Sequence, residues 1–172
     1  MSGAPPVLSD GLTSPAMAVE IRLLRPGDAA VLSNVAPDVF DDPVDEALAR
    51  QFLDDPGHLI AVALEDDLVV GFVSGVMYVH PDKPRELWVN EVGVVSTHQR
   101  RGIARDLLRR VFLEAKAAGC GEAWVLTDRS NEAAMGLYES VGGTCQDQVM
   151  FTFGLGSGSD RRQTGASDDQ DA

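Results

Sequence analysis

Apolar positions change period several times along the chain, and each change marks an element. Val19-Glu20-Ile21-Arg22-Leu23 alternates apolar and polar residues, the period of a half-buried strand. Pro26 opens a predicted helix that runs to about Val35. Asp42-Pro43 offers an N-cap and a first-turn proline for a second helix, with Leu48, Phe52 and Leu53 on its apolar side. His58 to Leu64 and Leu68 to Val79 read as strands around the turn Glu65-Asp66-Asp67, and Trp88 to Val95 reads as the next strand. From Gly102 to Ala118 the repeat lengthens to that of a helix, and Ile103, Leu107, Leu108, Val111, Phe112 and Ala115 form one stripe. Gly119 and Gly121 end it. A strand is predicted from Ala123 to Thr127, then a helix from Asn131 to Val141, stopped by Gly142-Gly143. Val149 to Phe153 alternates again and is expected to close the domain as a last strand. The order β-α-α-β-β-β-α-β-α-β predicts an α/β fold, a mixed sheet with helices packed on it.

The same pattern sets the boundaries. Residues 1–18 are rich in Pro, Gly and Ser and read as a disordered leader; residues 156–172 keep no aliphatic or aromatic side chain beyond alanine to bury and read as a disordered acidic tail. The folded domain is expected over 19–155. At 172 residues, with 44% hydrophobic and 24% charged positions, the chain can build one ordinary core. No apolar run is long enough to span a bilayer, and the N-terminus lacks the basic start and apolar stretch of a secretory signal, so a cytoplasmic location is expected.

Charge narrows the partners. Lys and Arg number 14 against 27 Asp and Glu, a net charge of −13. Such a surface repels phosphate backbones, so no nucleic-acid partner is expected. It either steers cationic partners inward or simply keeps the protein soluble. Cys120 and Cys145 form no CxxC pair and have no nearby histidine at metal-ligand spacing, so free thiols and no metal are expected.

The stretch with the most chemistry is Val92-Gly93-Val94-Val95-Ser96-Thr97-His98-Gln99-Arg100-Arg101-Gly102-Ile103-Ala104, a strand that runs through a basic loop into the long helix. Amides at a helix start lack partners and face a positive macrodipole. Arg100 and Arg101 add charge there, and Gly102 with small Ala104 lets the backbone approach a bulky anion. These parts compose a pyrophosphate cradle. The GxGxxG fingerprint and the P-loop Lys-Ser/Thr are absent, which argues against dinucleotide and NTPase chemistry.

About thirty residues on come Asn131, Ala134, Tyr138 and Gly142 in the spacing N-x-x-A-x-x-x-Y-x-x-x-G. Together with Gln99-Arg100-Arg101-Gly102-Ile103-Ala104, in the form Q-x-x-G-x-A, this pair resembles the GCN5-related N-acetyltransferase superfamily over about residues 20–154. The resemblance implies a mostly antiparallel sheet with a splayed parallel pair between the fourth and fifth strands. It implies acetyl-CoA as the acyl donor and an amine as acceptor. By resemblance, the loop amides from Arg100 to Ala104 hold the CoA pyrophosphate, Gln99 belongs to the same cofactor-binding loop, and backbone groups of Val92 and Val94 pair with the pantetheine arm. Asn131 bonds that arm, with Ala134 beside it. Tyr138 is then the general acid for the departing thiolate, and Glu91 is the candidate base for the acceptor ammonium.

The acceptor is read from Val39-Phe40-Asp41-Asp42-Pro43, from Glu91 and from Asp128. With the His98-to-Ala104 turn these resemble the aminoglycoside 3-N-acetyltransferases, whose polycationic substrates suit Asp41, Asp42, Glu91 and Asp128. Asn131-Glu132 departs from the acidic pair of that subgroup and follows the general superfamily pattern. The alternatives are a polyamine, a small metabolite, a protein N-terminus or a lysine as acceptor, or a non-catalytic acyl-CoA-binding module. A homodimer is compatible with the family, although no segment identifies an interface.

Overall fold

The computed structural model describes residues 18–155. A five-stranded sheet runs in the order β1 (Glu20–Leu23), β2 (His58–Glu65), β3 (Leu68–Tyr78), β4 (Arg85–Val94), β5 (Cys120–Val125). The first three pairings are antiparallel and the β4–β5 pairing is parallel. Three helices flank it, α1 (Glu46–Asp54), α2 (Ile103–Ala117) and α3 (Glu132–Ser140). The expected mixed α/β sheet, antiparallel but for its last pair, is therefore observed.

The sheet is buried on both faces by two separate apolar clusters. On one face the α2 stripe, Ile103, Leu107, Leu108, Val111 and Ala115, packs on Val70, Val73, Leu87 and Val89, with Leu137 and Tyr138 of α3 against the same cluster. On the other face Phe72, Val62, Ile60 and Leu64 are covered by Leu32, Val39, Ala49 and Leu53 from the segment before β2. This two-sided burial explains why β2 and β3 read as continuous apolar runs rather than strict alternations.

Several boundaries differ from expectation. The predicted helix from Pro26 to Val35 is a 3-10 helix, Asp28–Ser33, entered through Gly27 at φ 96°. It stops because the chain is drawn into the sheet: the Val69 amide donates to Asn34 O and the Ala36 amide to Val69 O, both at 2.9 Å. The N-cap of α1 is Asp45, not Asp42; Asp45 Oδ1 accepts from the amides of Ala47 at 2.8 Å and Leu48 at 2.9 Å. Leu48 is 65% exposed and lies outside the expected apolar side of the helix, and residues 36–45 form a loop that crosses β4 at Gly93. β5 begins at Cys120 rather than Ala123 and ends at Val125 rather than Thr127.

The last predicted strand does not form. Residues 144–155 carry no regular structure, and Val149, Phe151 and Phe153 are 77–80% exposed. Alternation marks a side-chain pattern, but a strand also needs an edge to pair with, and this segment takes none among the described residues. The expected leader falls outside the described residues apart from Ala18, and the expected tail from 156 lies wholly outside them. Among the described residues no helix is long and apolar enough to cross a membrane.

Candidate active site

The geometry of the site begins with the divergence of β4 from β5. Their register ends at Val89 opposite Val125, yet β4 continues to Val94, so its last residues have no β5 partner. A β-bulge at Asn90 sits just before the divergence: on β3, Gly75 faces Val89 and the next residue back, Ser74, faces Glu91. The bulge returns Glu91 to the sheet face opposite α2, while Val92 and Val94 pack toward the α2 cluster.

On the α2 side a cavity of about 560 Å3 opens at the end of β4, a size typical of small-ligand sites. It brings together ten of the residues singled out in the sequence: Val92, Val94, Gln99, Arg100, Gly102, Ile103, Ala104, Asn131, Ala134 and Tyr138. The β4–α2 loop is held in a shape that few residues tolerate. Arg100 has φ 64° and Gly102, the N-cap of α2, has φ 84°, the left-handed kind of backbone from which anion-binding concavities are built. A Cβ on Gly102 would meet Arg105 Nη2 at 3.3 Å in addition to the backbone penalty.

Side chains strap the loop in place. Gln99 Nε2 donates to Val94 O at 3.0 Å, so that carbonyl is satisfied inside the protein. His98 Nε2 lies 2.8 Å from Glu65 Oε2, and Arg101 Nη2 donates to Glu65 Oε1 at 3.3 Å. The His98 hydrogen bond, followed by that from Arg101, holds the Glu65 carboxyl below the usual carboxylate range. The Arg101 side chain is thus turned to the β2–β3 turn and does not line the cavity, which leaves its backbone amide as the group available to the loop. Asn131 is the N-cap of α3, its Oδ1 accepting from the Ala134 amide at 3.1 Å. The capping oxygen is therefore occupied, and the amide nitrogen is the end left for a ligand. Tyr138 is half-buried in the cavity wall, and burial alone pushes its phenol above the ordinary value, so it keeps its proton.

His98, Arg105, Thr127, Ala133, Leu137 and Ser140 also line the cavity and were not singled out as site residues. Arg105 and Leu137 follow from helix geometry: Arg105 lies in the first turn of α2, where side chains lean back toward the N-terminus, and Leu137 lies three residues beyond Ala134.

On the opposite face the acidic residues separate. Glu91 has its carboxyl pushed up by burial and, secondarily, by the charge of Asp41. Asp41 is brought there because the 36–45 loop crosses β4 at Gly93, where an added Cβ would lie 2.6 Å from Val39 O. Phe40 locks the loop by stacking on Phe72 with ring centroids 3.9 Å apart. Asp42 and Asp128 are exposed, and neither lines the cavity. Among the described residues, no group of three or more His, Cys, Asp or Glu is placed to hold a metal.

Fold and cavity together define a small mixed α/β domain with a cavity and a left-handed loop at the open edge of its fourth strand. The acetyltransferase (GNAT) family model matches residues 29–143, and the chain belongs to that family. The N-alpha-acetyltransferase RimI of Mycobacterium tuberculosis is 32% identical over 133 residues, 76% of this chain and 82% of that protein. Human N-acetyltransferase 8 is 31% identical over 105 residues, 60% of this chain; the match spans only 46% of that longer protein. Among solved structures, an aminoglycoside acetyltransferase (HMB0005) from an uncultured soil metagenomic sample superposes with a TM-score of 0.70 at 21% identity, covering 81% of this chain and 100% of that one. These likenesses carry the family and the fold, and do not single out the aminoglycoside 3-N subgroup.

Proposed function

We propose that the chain is an acetyl-CoA-dependent N-acetyltransferase that acetylates a primary amine of a polycationic acceptor, an aminoglycoside. The observation that carries this reading is two-sided. A loop with left-handed residues and a cavity lie on one face of β4, and a carboxylate pair, half-buried Glu91 with exposed Asp41, lies on the other. The cavity fits the donor by its left-handed loop residues, its volume and the free outer edge of β4. Bound acetyl-CoA supplies the thioester that the acceptor amine attacks.

The remaining chemistry belongs to the chain. Amides of the 99–104 loop, with Arg100, hold the pyrophosphate, and Asn131 Nδ2 and the β4 edge hold the pantetheine arm. Glu91 takes a proton from the acceptor ammonium; its raised pKa makes it a stronger base than an ordinary surface carboxylate. Tyr138, kept protonated by burial, donates its phenolic proton to the departing thiolate. Transfer is direct, since burial pushes the Cys120 thiol up and away from the thiolate form, and no nucleophilic pair accompanies it.

The antibiotic acceptor is supported by the cationic preference of Glu91 and Asp41 and by the aminoglycoside acetyltransferases that share the fold. A second reading, a peptide N-terminus as acceptor, is favoured by the 32% identity to an N-alpha-acetyltransferase over most of both chains. Acetyl-CoA-dependent thiol release with kanamycin, gentamicin, spermidine and an alanine-starting peptide separates them. Turnover with the aminoglycosides is expected. Turnover confined to the peptide overturns the antibiotic reading and keeps the enzyme class.

A further inference from the structure

The protein has two tryptophans, and they meet. Trp88 on β4 and Trp124 on β5 face each other across the parallel register, with ring centroids 5.7 Å apart and planes within 13°. Neither belongs to the two apolar cores, and Trp88 is 36% exposed. An aromatic pair of this area left facing water calls for a reason, because burying it would be strongly favourable.

Trp124 is also anchored. Trp124 Nε1–H donates to the Tyr78 hydroxyl at 2.8 Å, and that hydroxyl donates to Glu86 Oε2 at 2.6 Å. Lys83 Nζ lies 2.5 Å from the other Glu86 oxygen. Hydrogen bonds from Lys83 and Tyr78 bring the Glu86 carboxyl down to about 2, so it stays ionised and keeps the chain of bonds polarised at any ordinary pH. Little further side-chain entropy is lost when a ligand settles on such a surface.

Its position supplies the occupant. Trp88 faces Val76 and Glu91 faces Ser74, two residues apart on β3, so Trp88 and Glu91 are neighbouring positions on the same face, about 7 Å apart along the strand. The indoles thus flank the proposed base on the side away from Gly93 and the 36–45 loop, directly before the β4–β5 divergence. Carboxylates of Glu91 and Asp41 give that surface the charge for a cation. We infer that the Trp88–Trp124 pair is an acceptor platform, on which an ammonium-bearing amino-sugar ring lies against the indole faces while its reacting amine reaches Glu91. The attraction is that of a cation and polarised C–H groups for the indole π-face. This rests on the aminoglycoside reading above, and it adds a subsite that sets acceptor affinity without touching the donor.

Because both tryptophans lie in the platform, tryptophan emission, excited selectively at the red edge where tyrosine does not absorb, reports on it. Kanamycin is titrated into the full chain saturated with CoA, and thiol release is measured in parallel for wild type, Trp88→Ala and Trp88→Phe. A saturable change in emission is expected in wild type. Trp88→Ala is expected to raise the kanamycin KM about tenfold with the acetyl-CoA KM unchanged, and Trp88→Phe to recover most of the loss. An unaltered kanamycin KM in a Trp88→Ala protein that turns over normally overturns the platform and spares the aminoglycoside reading. A fluorescence response without acetylation overturns that reading as a reaction and keeps the platform as a binding site. Emission that ignores kanamycin and is shielded from acrylamide shows the pair covered by protein and overturns the platform. Should Trp88→Ala fail to fold, the Trp88→Phe kinetics and the wild-type titration decide alone.

Discussion

The two faces of β4 are built in opposite ways. On the α2 face the cavity is made almost wholly from two short contiguous segments, 98–105 and 131–140, each shaped chiefly by local features: left-handed Arg100 and Gly102 in one, the Asn131 side-chain cap in the other. On the far face nothing is contiguous. Glu91 and Trp88 on β4, Asp41 in the 36–45 loop and Trp124 on β5 are brought to one side of the sheet by the bulge at Asn90, the close crossing at Gly93 and the parallel pairing of β5. In the proposed reading, donor binding is therefore largely a local property of the chain, and acceptor binding is a property of the assembled sheet.

The sharpest break of the donor face is Gly102→Glu. It forces a side chain onto a left-handed residue and puts negative charge where the pyrophosphate is proposed to sit; acetyl-CoA binding by calorimetry is expected to vanish. Tyr138→Phe removes only the phenolic proton; kcat is expected to fall about a hundredfold, with acetyl-CoA affinity within about threefold of wild type. Gly93→Ala tests the other face. The new methyl would sit 2.6 Å from Val39 O and 2.8 Å from the Phe72 ring, so the 36–45 loop must lift. A loss of about 1–3 kcal/mol in chemical denaturation is expected, with a raised acceptor KM and an unchanged acetyl-CoA Kd. Asp41→Asn is the mildest change. It removes the lesser of the two causes that raise Glu91, so the Glu91 pKa falls and its basic form persists to lower pH. The acid limb of kcat/KM is expected to move down in pH, with a plateau lowered about threefold for a polycationic acceptor because one attracting carboxylate is lost.

The contrast also explains what could be read from the sequence. The α2 stripe, the β2–β3 hairpin and both cavity segments are written in local periodicity, glycines and cap residues, and the structure forms them within a few positions. The misses are long-range. Nothing local announces that Asn90 is a bulge, yet the bulge decides which face Glu91 takes. Nothing near Val35 says that Val69 will draw the chain out of its first helix. Asp42 and Asp45 are both sound caps by type, and only the packing of Ala49 and Leu53 selects Asp45. The arginine pair Arg100-Arg101 reads as one basic patch, but Glu65, thirty-six residues away, claims the second of them. Trp88 and Trp124 were elements of two strands until parallel pairing made them a surface.

The division of labour between the two faces is tested most directly by steady-state thiol release from Glu91→Gln, with acetyl-CoA and the acceptor both varied. The account predicts a kcat lower by a factor on the order of 10² or more and an acetyl-CoA KM like that of wild type. An undiminished kcat, or a selective loss of acetyl-CoA affinity, would contradict it.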